Sequence, residues 1–120
     1  HVGSVVAHEA NASIPYVTSK ASVSAYVRVM GNYLANSGVI MSGILPGAFY
    51  GDDNAMARFE YFKPGDYKKF KKKLPQNKMP LAKDYLKIIK LLSLKNSKIF
   101  SGSMIYLDQG QSKTINQFYN

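Results

Sequence analysis

Tyr16-Val-Thr-Ser-Lys20 holds the side chains with the greatest chemical reach in this sequence. A spacing of four puts the phenol and the ammonium on one face of a helix, a turn apart. Reducing a carbonyl by hydride transfer needs a proton donor at the oxygen, and oxidising an alcohol needs the reverse. A phenol does both if its pKa is lowered from about 10, and a lysine ammonium within about 4–6 Å favours the phenolate. Spacing alone does not single the pair out, because Tyr67 and Lys71 repeat it. A Tyr/Lys pair on a solvated helix face is the plain alternative for either.

The elements that would position each pair separate them. Val2 to Ala7 is short and β-branched, bounded by the polar stretch from His8 to Ser13, and predicts a buried strand followed by a loop. Ser13 suits an N-cap and Pro15 a first turn, so a helix is predicted over 14–36. Its apolar residues, among them Val17, Val23, Val27, Val29 and Leu34, cover more than one face. The helix is therefore expected to pack on its own sheet and on a second surface, for which a partner subunit is a candidate. Val39 to Leu45 predicts a second strand, stopped by Pro46-Gly47. Strand, helix, strand is a βαβ unit, with parallel strands and ligand sites at their carboxyl ends. Residues 48–80 lack a clean apolar period and predict one or two short mobile helices. An amphipathic helix over 82–94 and a strand over 103–107 close the pattern.

With that context, the sequence resembles the short-chain dehydrogenase/reductase family, whose signature is a Ser, then Tyr-x-x-x-Lys about a dozen residues later, then a strand and Pro-Gly. The resemblance runs from Gly3-Ser4-Val5-Val6 through Gly38-Val-Ile-Met-Ser-Gly-Ile-Leu-Pro-Gly47 to Phe100-Ser-Gly-Ser-Met-Ile-Tyr-Leu-Asp-Gln-Gly110. It implies an α/β fold: the C-terminal part of a Rossmann-like doubly wound parallel sheet, three strands with crossover helices. Residues 1–120 would form the catalytic half of one domain, with 48–80 as a variable substrate lid. It further implies an NAD(P)-dependent oxidoreductase acting on a carbonyl or secondary alcohol. Tyr16 would be the acid/base, Lys20 would lower its pKa and bind the nicotinamide ribose, and Ser4 would hold the substrate oxygen. Pro46, Gly47, Ala48 and Phe49 would form the nicotinamide-contacting loop, with Tyr16 and Lys20 also touching the cofactor, NAD or NADP.

Two positions depart from the family pattern. Ser42 stands where relatives commonly carry Asn, and Tyr50-Gly51-Asp52-Asp53 replaces a region that often holds a phosphate-touching Thr. An acidic pair beside a pyrophosphate is unfavourable, so a different loop path is expected. The Gly-rich turn that meets a pyrophosphate at a helix N-terminus is absent, as is the family's Asn-Ala-Gly motif. The chain is expected to begin inside the family's fifth strand and to need the missing N-terminal half.

Composition bounds the remaining possibilities. A length of 120 residues with 46% hydrophobic content suits one globular domain, and the absence of cysteine excludes disulfide frameworks and thiolate metal sites. No apolar run approaches a membrane span, so no membrane partner and a cytoplasmic location are expected. The net charge is +9, with eight of sixteen basic residues being lysines between Lys63 and Lys83. These either form a solvated face or attract a phosphorylated or acidic small-molecule substrate. Nucleic-acid binding is disfavoured. A homodimer or homotetramer is expected. Two alternatives stand beside the oxidoreductase: an epimerase or dehydratase using the same pair, and a catalytically silent basic binding module.

Overall fold

A computed structural model of the chain describes residues 1–113. Three extended segments lie side by side and parallel, in the order Val2, β1 (Gly43–Pro46) and β2 (Met104–Leu107). β1 is central and wholly buried. On one flank Gly3 N–H donates to the Ile44 carbonyl at 2.8 Å; on the other, Ile44 stands opposite Ile105. The α/β class with parallel strands follows as expected.

The strands are shorter than the sequence suggests. The segment predicted as Val2 to Ala7 makes only a bridge at Val2 and stays extended through Ser4, then turns into a 3-10 helix, Val5–His8. The cause is Ser4 itself, whose hydroxyl accepts the Val6 N–H at 3.4 Å and caps that helix. The second strand likewise begins at Gly43 and not at Val39.

Helix α1 (Ile14–Tyr33) makes the crossover between the first segment and β1. Its buried residues are Val27 and Gly31. Gly31 is needed there, since a Cβ would stand 2.3 Å from the main chain of Gly102. The Ser101 hydroxyl donates to the Gly31 carbonyl at 3.1 Å, fixing the same contact. The second packing surface expected for this helix is not met within the described residues: Val29 and Tyr33 remain 65% and 79% exposed.

Between β1 and β2 the chain forms two helices, α2 (Ala55–Phe62) and α3 (Pro64–Lys72). They pack through aromatic edges, with Phe59 against Tyr67 and Phe70. Tyr50 and Leu81 form an isolated bridge at their base, joined by Tyr50 N–H to Pro80 O and Ala82 N–H to Tyr50 O, both 2.8 Å. The helix expected over 82–94 splits into a 3-10 turn, Ala82–Tyr85, and α4 (Leu86–Leu92). The Asp84 carboxylate tightens that first turn by accepting the Leu81 N–H at 2.8 Å. Among the described residues no helix is long and apolar enough to cross a membrane.

Candidate active site

The carboxyl ends of the three parallel segments open onto one cavity of about 420 Å³. Each contributes through the residues that follow it, as open parallel sheets do. Ser4 comes after the first segment, Gly47 to Phe49 after β1, and Gln111 with Ser112 after β2. Tyr16 enters from the first turn of α1. Phe70 and Leu74 close the far side. A larger cavity of about 700 Å³ lies between α4 and β2, lined by Tyr85 and Asp108, and contains none of the residues expected from the sequence. The smaller cavity is the candidate site because the chemistry is there.

Ser4 is buried while Tyr16 is 46% exposed, so the phenol is accessible at the cavity mouth. The Lys20 ammonium lies 5.7 Å from the centre of the Tyr16 ring. It donates to the Val2 carbonyl at 3.2 Å, which ties α1 to the strand end beside Ser4. An ammonium has three donors, so others remain for a ligand hydroxyl. Of the residues expected at the site, Lys20 and Pro46 do not line the cavity: Lys20 lies beside Tyr16, and Pro46 is buried at the last position of β1.

The loop after β1 is held from two sides by side-chain amides. Asn54 donates to the Phe49 carbonyl at 2.7 Å while its oxygen caps α2, accepting from Met56 and Ala57 at 3.0 Å each. Gln111 pairs with both main-chain groups of Ala48. Neither residue was singled out by sequence pattern. The only signal for Gln111 is its place just beyond the Asp108-Gln109-Gly110 turn.

Asp108 is buried and anchors that turn. Burial pushes its carboxyl up, but hydrogen bonds from Ser112 and from the Gly110 amide outweigh this, leaving its pKa below the ordinary value. Of the acidic pair expected to disturb a phosphate, Asp52 is exposed, the Asp53 side chain is 94% exposed and pairs with Arg58 at 3.5 Å, and neither lines the cavity. The lysines of α3 and Lys73 are exposed and none lines the cavity, so any pull they exert on an acidic ligand acts at long range.

Neither a protein-family model nor a curated protein matches this sequence. Solved structures do. L-sorbose reductase from Gluconobacter frateurii, solved with NADPH and L-sorbose, superposes with a TM-score of 0.78 at 17% identity over 96% of this chain and 47% of its own. A 3-oxoacyl (acyl-carrier-protein) reductase from Agrobacterium tumefaciens with NADP bound gives 0.76 at 18% over 91% and 42%. The short chain dehydrogenase family protein of Francisella tularensis gives 0.77 at 21% over 92% and 49%. The fold is that of the short-chain dehydrogenases/reductases. The chain thus spans just under half the length of these dehydrogenase-fold proteins. In this chain, Ser4, Tyr16 and the loop after β1 line one cavity at the carboxyl edge of the sheet.

Proposed function

We propose that this chain is the catalytic half of an NAD(P)-dependent oxidoreductase that moves a hydride between a nicotinamide and a carbonyl or secondary alcohol. The observation that supports it is the convergence of Ser4, Tyr16 and Gly47 to Phe49 on one cavity, with Lys20 beside the phenol. The residues present fit the nicotinamide end of such a cofactor. Gly47 to Phe49 line the cavity, and Lys20 has donors left for a ribose hydroxyl. When bound, the cofactor supplies or accepts the hydride.

The side chains supply the rest. Ser4 donates a hydrogen bond to the substrate oxygen and orients it towards Tyr16. In reduction, the Tyr16 hydroxyl gives its proton to that oxygen as negative charge develops there. Lys20, its ammonium 5.7 Å from the ring centre and bonded to the Val2 carbonyl, sets a positive charge near the phenolate left behind. Oxidation runs the same steps backwards. Residues 48–80 act as the substrate lid, presenting Phe70 and Leu74 to the apolar part of the substrate. Two of the matched structures hold a bound dinucleotide, NADPH in L-sorbose reductase and NADP in the 3-oxoacyl reductase, which supports the cofactor class.

Replacing Tyr16 by Phe in the intact protein removes the proton donor and little else. Turnover of NADH or NADPH against a carbonyl panel is expected to fall by about 10²–10⁴ with the circular dichroism unchanged. Wild-type turnover by that variant overturns the proposal.

A further inference from the structure

The main-chain groups of Ala48 are both taken by one side chain. Gln111 Oε1 accepts the Ala48 N–H at 2.7 Å, and Gln111 Nε2 donates to the Ala48 carbonyl at 3.0 Å. Gly47 makes room for this pairing, because a Cβ there would meet Gln111 Oε1 at 2.6 Å. Gln111 is itself fixed. The Asp108 carboxylate accepts from Gly110 N–H at 3.0 Å and Ser112 N–H at 2.8 Å, and Gln111 N–H donates to the Asp108 carbonyl at 3.0 Å. Beyond it, Lys113 N–H donates to Glu9 Oε1 at 2.8 Å. The strand order sets Ser4 and Tyr16 on one flank of β1 and the Asp108 turn on the other. Gln111 and Ser112 nonetheless line the same cavity as Ser4 and Tyr16.

We propose that Gln111 is a positioning residue: it splints the loop after β1 to the Asp108 turn, so that the nicotinamide meets a preformed surface at a fixed distance from Tyr16. This rests on the nicotinamide reading of that loop given above. A loop held this way spends no binding free energy on becoming ordered, which is how preorganisation raises affinity.

The test uses the intact protein with Gln111→Met, which keeps the volume and removes both bonds, and Gln111→Glu, which keeps only the acceptor for Ala48 N–H. Two quantities are read: hydrogen exchange at the Ala48 amide without cofactor, and dissociation constants for NADH or NADPH and for the same dinucleotide lacking its nicotinamide ring. In Gln111→Met, Ala48 exchange is expected to quicken about tenfold and the dinucleotide to bind about tenfold more weakly. The ring-less ligand is expected to bind as to wild type, and Gln111→Glu to fall between. Unchanged Ala48 exchange overturns the splint. Equal weakening of both ligands overturns the positioning role, since the damage is then general. A wild-type protein that binds no dinucleotide overturns the cofactor reading, and Ala48 exchange then decides the splint alone.

Discussion

Two Tyr/Lys pairs with identical spacing meet opposite fates. Tyr16 opens onto a cavity with Lys20 against its ring, whereas Tyr67 is buried edge-on to Phe59 and Tyr50. Burial, and then the charge of Glu60, push the Tyr67 phenol up, which makes it a poorer proton donor. Lys71 is exposed. Lys71→Ala is accordingly expected to leave turnover within twofold or so of wild type, while Lys20→Ala lowers it by about 10² or more; steady-state kinetics on both variants checks this. Asp108 gives a pH prediction. Its folded pKa is depressed, so its contribution is present above the unfolded value of about 3.9 and is lost as pH falls through the folded one. Asp108→Asn should lower stability by about 1–3 kcal/mol at neutral pH. Urea midpoints for the two proteins should converge below about pH 4. Tyr85 is the reverse case, a buried hydroxyl with no hydrogen-bond partner among the described residues. Tyr85→Phe is expected to leave the melting temperature unchanged or raise it. The catalytic candidates were legible in the sequence because phenol, ammonium and hydroxyl announce their chemistry by type. Gln111 and Asn54 were not, since an amide that pairs with a distant main chain leaves no periodic trace.

At the scale of elements, helices were easier to read than strands. Pro15 and the glycine-poor run after it marked α1 to within three residues at its end, because helix signals are local. The extent of a strand depends on which neighbour it pairs with, and Val2 to Ala7 looked longer than it is because a serine cap outcompetes the ladder. The crossover contact at Gly31 was likewise silent, since only the approach of Gly102 shows why glycine is there. Gly31→Ala forces α1 away from the β2 entry and is expected to cost about 1–3 kcal/mol in a denaturant titration.

For the whole molecule, the faces left open are as informative as those that are closed. The radius of gyration is 15.6 Å, above the about 13–14 Å usual for a compact domain of this length. Tyr26, Val29 and Tyr33 along α1 and Leu86, Ile89 and Leu91 along α4 are exposed apolar side chains. Apolar surface left open in this way favours packing against other protein. The 120-residue chain expressed alone is expected to bind a hydrophobic dye such as ANS, and to bind NADH more weakly than micromolar; micromolar binding would contradict the idea that most of the cofactor grip lies elsewhere.

The bridge between Tyr50 and Leu81 has an evolutionary consequence. It brings the two ends of residues 51–80 together beside the sheet, so the insert can change length or sequence without moving the strands that hold Ser4 and Gly47. Doubling the length of such a closed loop costs only about 0.6 kcal/mol in chain entropy. On the function proposed above, the same floor can thus be fitted with a different roof, and substrate preference would drift through exchange of this one hairpin of helices while Tyr16 and Lys20 stay in place.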